Sequence, residues 1–155
     1  MPTYKIERYA TTTSADAYTV DITNAHVDLP ASGAGVVSAY DNSGTTVTVF
    51  KGSEELNGVT TGTPTAGEFK VTATGSNITP NASPTSSGNP VIYGVANSMA
   101  DAEDTASIDF SIDIESALTI TKTQTFGKST GVAGASAKGI QLILGSNTIA
   151  FDNST

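Results

Sequence analysis

The sequence has no cysteine, no tryptophan and a single histidine, and its seven basic residues stand against fifteen acidic ones, a formal net charge of −8. Each shortage excludes something. Without cysteine there is neither a disulfide scaffold nor a thiolate-held zinc. Seven scattered lysines and arginines cannot neutralise a row of phosphates, so a nucleic-acid partner is not expected. No apolar run approaches the roughly 18 residues of a membrane-crossing helix, and Met1–Ala17 lacks the apolar core of a signal peptide, so membrane insertion is not expected. His26 alone cannot assemble a histidine metal site, and a Ser-His-Asp triad would need it beside an activated serine. No cofactor is implied.

Threonine takes 25 positions and glycine 15, while charged residues make up only 14%. That mixture favours strands and turns over helices. The 155 residues suffice for one domain with arms. Residues 1–16 read as an N-terminal arm, 17–126 as the folded domain, and 127–155 as a Gly/Ala/Ser linker with a C-terminal hairpin.

Within the domain the apolar period is two, the signature of strands with one buried face. Tyr18, Val20 and Ile22 alternate with Thr19, Asp21 and Thr23, and Ala25, Val27 and Leu29 follow. Val36–Tyr40 and Thr45–Lys51 read as a hairpin around Asp41-Asn42-Ser43-Gly44, with glycine at the left-handed position. Asn57-Gly58 reads as another turn. Phe69, Val71 and Ala73 define a strand over Glu68–Thr74, and residues 75–90 form a polar connection with little to bury. Val91–Val95 is a short buried strand, and Asn97–Thr105 has room for one helical turn. Ala106–Glu115 is the clearest strand, with Ile108, Phe110, Ile112 and Ile114 inward and Asp109, Ser111, Asp113 and Glu115 solvated. Leu118–Thr125 continues it, with Leu118 and Ile120 inward. Seven or eight short strands between turns predict an all-β chain, an immunoglobulin-like antiparallel β-sandwich with an N-terminal arm and a C-terminal hairpin tail.

The runs YTVDITNAHVDLPAS, GTTVTVFKG, GEFKVTATGSNITP, DTASIDFSIDI and LTITKTQTFGKS, spread over roughly 17–130, are similar to Ig-like modules in the tail-fibre and host-specificity proteins of tailed bacteriophages. In that family Gly-rich spacers join such modules. Here Gly131 and Gly134 are three apart but position 137 is alanine, so collagen-like character is vestigial. The resemblance implies a structural or adhesive virion part, extracellular on a phage tail or appendage, commonly trimeric and not an enzyme. Its partners would be copies of itself and neighbouring virion proteins. It carries over no catalytic or binding residue.

Several residues invite chemistry on their own account. Asp101, Glu103 and Asp104 are the best local set of oxygen ligands for calcium, though they lack the glycine and spacing of an EF-hand. Glu54 and Glu55 are adjacent on a strand and point to opposite faces, so they cannot flank one glycosidic bond. Lys122 shares parity with Leu118 and Ile120, which points its stem inward; an isopeptide cross-link to an asparagine is one use, a snorkelling stem the other. Tyr40 and Tyr93 are the aromatics near turns, and host surface glycans are the alternative ligand class, as for a carbohydrate-binding module. In the tail, Ile140, Leu142, Leu144, Ile149 and Phe151 form an apolar set that a lone hairpin cannot bury, which predicts assembly with another subunit or the next module.

Overall fold

The structure, a computed structural model, describes residues 17–86 and 88–130. The described chain is all-β. Its strands are β1 (Tyr18–Ile22), β2 (His26–Ala31), β3 (Thr45–Lys51), β4 (Glu54–Glu55), β5 (Asn57–Val59), β6 (Glu68–Ser76), β7 (Ile78–Thr79), β8 (Thr85–Ser86), β9 (Val91–Tyr93), β10 (Ser98–Met99), β11 (Thr105–Ile114) and β12 (Leu118–Thr130). One sheet has the order β1-β3-β9-β8 with β4 also on β3; a second has the order β2-β12-β11-β6-β5; β10 and β7 form a small third. The N-terminal arm and the C-terminal hairpin expected from the sequence lie outside the described residues.

Alternation does what period two requires. Val20, Val47, Val49, Val91 and Tyr93 come from the first sheet, and Leu29, Phe69, Val71, Ile108, Phe110, Ile112, Ile114 and Phe126 from the second. All of them meet in one buried cluster. Tyr93 and Phe110 bridge the two sheets with ring centroids 5.1 Å apart. Each fully buried aliphatic or aromatic side chain stabilises the fold by about 1.5–3 kcal/mol before ordering entropy is subtracted.

The pairing is not wholly antiparallel. β2 runs parallel to β12 over six register pairs, from His26 opposite Thr125 to Ala31 opposite Thr130, and β5 runs parallel to β6. The first of these arises because the chain leaves the first sheet after β1 and crosses to the second, where it meets the last strand. β12 therefore reaches Thr130, with Phe126 1% exposed, so the folded unit extends past the boundary expected at 126.

Other expectations are corrected locally. Val36–Tyr40 forms no strand; Val37 makes one isolated bridge to Ala31, and β3 pairs instead with β1 and β9. In the 41–44 turn the left-handed residue is Asn42, with φ 65°. Asn57-Gly58 is strand rather than turn. Glycine is needed at 58 for close approach, since a Cβ there would lie 2.6 Å from Val91 Cγ2 and 2.7 Å from Asn89 O. The 75–90 connection contains β7 and β8 and buries Ile78. Ser98–Met99 is strand and no helical turn forms over 97–105. Leu118, directly after the β11–β12 turn, is 40% exposed rather than inward.

Candidate functional site

Three constellations stand out, one at each end of the described unit and one on a sheet face. At the end where β1 begins, the Glu115 carboxylate accepts from the Tyr18 hydroxyl (2.5 Å), from Lys51 Nζ (3.2 and 3.3 Å) and from the Gly67 N–H (2.9 Å). The Lys51 ammonium also lies 5.5 Å from the centre of the Tyr18 ring. These donors, the Tyr18 hydroxyl foremost, hold the Glu115 carboxyl down at about 2. Their own hydrogen bonds to Glu115 raise Tyr18 and Lys51 above their ordinary values. Sequence alternation had placed Glu115 on the solvated face with Asp109 and Asp113. It lies instead in the turn after β11, where it and Ser116 adopt φ 51° and 53°. The loop between the paired Ile114 and Leu118 has three residues, and its two left-handed positions ordinarily favour Asn or Gly; here the Glu115 hydrogen bonds, and one from Ser116 Oγ to Pro64 O at 2.6 Å, offset the strain.

At the opposite end Lys128 fills the place expected for a cation. Its ammonium donates to Ala100 O and Asp101 O, both at 2.8 Å, and its backbone N–H donates to Asp104 O at 3.0 Å. The calcium candidates Asp101, Glu103 and Asp104 are exposed around that loop. Among the described residues no group of three or more histidine or acidic side chains gathers to hold a metal. The loop's carbonyls face an internal ammonium, which sequence spacing could not reveal because Lys128 is 24 positions or more downstream.

On the outer face of the second sheet, His26 stands opposite Thr125 and Asp28 opposite Gly127. The Thr125 hydroxyl is 2.8 Å from His26 Nδ1, and His26 Nε2 is 3.3 Å from Asp28 Oδ1. Beside them opens a cleft of about 370 Å³ lined by Ser76, Asn77, Thr105, Ser107 and Gly127. No local sequence pattern brings His26 to Thr125, because the β2–β12 pairing joins segments 99 positions apart.

The aromatic glycan candidates turn inward. Tyr93 is 6% exposed, packs its ring on Phe110 and donates its hydroxyl to Val71 O at 2.9 Å, so it presents no stacking face to a sugar. Tyr40 is half-buried, and its hydroxyl accepts from the Met99 N–H at 2.7 Å. Glu54 and Glu55 are both exposed in β4. Lys122 is half-buried and lies opposite Phe110 in register. The assembly set Ile140, Leu142, Leu144, Ile149 and Phe151 lies outside the described residues.

No family model, no curated protein and no solved structure matches this chain.

Proposed function

We propose that this chain is a load-bearing structural module, an Ig-like β-sandwich of a phage tail fibre or virion appendage that serves assembly and host attachment. The sheet orders support the Ig-like reading, because β1-β3-β9-β8 facing β12-β11-β6 follows the ABED and GFC arrangement of that architecture. The observation that carries the function is the parallel pairing of β2 with β12. The chain enters at the Glu115 end, where Tyr18 is held, and β12 leaves at the Asp101 end, where Lys128 is held. A pull on the two ends loads the six β2–β12 register pairs in shear, all together, instead of opening them one at a time. Such a unit suits a string of modules under tension between virion and host. Copies of the same chain, as in a trimer, and neighbouring virion proteins are its partners in this reading.

Single-molecule pulling tests it. The wild-type unit resists to a high force, and Val27→Pro, which places a proline inside β2, lowers that force sharply. A low wild-type force, or one unchanged by the substitution, overturns the load-bearing role. Immunogold electron microscopy of virions tests the location, and absence of label from tails and appendages rejects it.

A further inference from the structure

The cluster on the outer face of β2 and β12 stands at the first of the six register pairs, and its order is that of a relay. Asp28 is a pure acceptor when ionised, and its carboxylate 3.3 Å from His26 Nε2 favours the tautomer with the imidazole proton on that nitrogen. That leaves Nδ1 as the acceptor facing the Thr125 hydroxyl at 2.8 Å. The other acceptor near that hydroxyl, Ala25 O, is farther away at 3.3 Å. Hydroxyl, imidazole and carboxylate thus stand in the functional order of a nucleophile triad, with the two ring nitrogens exchanged.

We propose that Thr125 is a base-activated nucleophile that accepts an acyl group from an activated ester, with His26 as the base and Asp28 as a positioning residue. Gly127 makes the room: a Cβ there would come 2.9 Å from Asp28 Oδ1. Its lack of a side chain leaves the cleft of about 370 Å³ open next to the hydroxyl, large enough for a short acyl group. Ser107 and Asn77 line that cleft with polar side chains. In the step, Thr125 Oγ1 forms a bond to the acyl carbon while His26 Nδ1 takes the hydroxyl proton. The bond from that carbon to the leaving oxygen breaks with its electron pair, and the leaving alkoxide recovers the proton from the imidazolium. The products are a threonyl ester and a free alcohol. The His26 and Asp28 side chains are 60% and 69% exposed, so the site is open to a large ester-bearing partner and to water. It serves stoichiometric attachment, giving the module a covalent anchor to an ester-bearing neighbour.

The test treats the full chain with p-nitrophenyl acetate at neutral pH and maps acetyl groups by peptide mass spectrometry. Thr121 lies on the same face of β12, exposed, and is the internal control. Thr125 acetylation is expected about 100-fold faster than that of Thr121, the lower range for a positioned base. His26→Gln brings Thr125 down to the Thr121 rate. Asp28→Asn slows it about tenfold, and Asp28→Glu restores it, which a merely structural role would not produce. Unfolding midpoints measured on the same samples stay at the wild-type value, because all three side chains are on the exposed face. Acetyl found on His26 or lysines but not on Thr125, or Thr125 labelling unchanged by His26→Gln, overturns the proposal.

Discussion

The Tyr18 hydroxyl donates to the Glu115 carboxylate at 2.5 Å across 97 positions of chain, and so ties the first described strand to the β11–β12 turn. Lys51 and the Gly67 N–H close on the same carboxylate, so four segments meet at one charge.

A pH dependence follows from that carboxylate. Its folded value of about 2 lies below the ordinary 4.5, so its contribution is complete above the ordinary value and is lost as pH falls toward 2. Glu68, lowered by the Thr65 N–H and hydroxyl, adds to the same acid limb. At the alkaline end Tyr18 and Lys51 are both raised, so their contribution persists below their ordinary values and is lost as pH rises past them. The unfolding midpoint should therefore be flat from about pH 5 to 9 and fall on both sides. Glu115→Gln should lower the plateau and shrink the acid limb to what Glu68 and the other carboxylates leave. An acid limb of unchanged size in that variant, in urea titrations from pH 2 to 6, would count against the clasp.

Phe110 is 1% exposed at the meeting of the two sheets, whereas its neighbour Asp109 faces solvent and accepts from Thr123 Oγ1 at 2.7 Å. Phe110→Ala should cost about 3–5 kcal/mol, as for an aromatic removed from a packed core. Asp109→Ala should change stability by only a few tenths of a kcal/mol. Equal damage in denaturant titrations would contradict the register of β11.

Most of the strands were legible because period two is a local signal, and the inward rows of β3, β6 and β11 read directly as Val47 and Val49, Phe69 and Val71, and Ile108 to Ile114. What the chain does between strands was not legible. Glu115 continues the polar parity of β11, and the left-handed turn that brings it to Tyr18, Lys51 and Gly67 removes it from that face. Gly58 looks like a turn residue, yet its reason is a neighbour 33 positions on, Val91. Gln124 keeps inward parity and is wholly buried, donating to Ser43 O at 3.2 Å, a polar group that no local pattern assigns to a core. The parallel β2–β12 pair, and with it the relay at His26, depends on a crossing between sheets that composition does not encode.

Tyr93 seals a sheet edge. On the side away from β11, β5 pairs with β6 only as far as Lys70, and the Tyr93 hydroxyl meets the next peptide group, donating to Val71 O at 2.9 Å. Burial raises the Tyr93 phenol, which keeps it in the neutral form that can donate. Tyr93→Phe retains the ring on Phe110 but strands the Val71 carbonyl, at a cost of about 1–3 kcal/mol. It should also open an edge to pairing between molecules. Denaturant titration with light scattering checks both effects; a variant as stable and as monodisperse as the wild type would show that the hydroxyl seals nothing.

The Lys128 ammonium occupies the carbonyl cluster formed by Ala100 and Asp101, so calcium should find no vacancy there. Millimolar calcium and a chelator should therefore leave the unfolding midpoint of the wild type unchanged. Lys128→Met removes the charge but keeps much of the stem, and leaves two carbonyl oxygens without their donor, so it should destabilise by about 1–3 kcal/mol. With the ammonium gone, the Ala100 and Asp101 carbonyls are open to a hard cation, and calcium should then recover part of the loss. The decisive comparison is the calcium-dependent shift in midpoint for the two chains measured side by side. A shift in the wild type as large as in Lys128→Met would mean that calcium binds without displacing lysine, and that the internal ammonium is not what fills the loop.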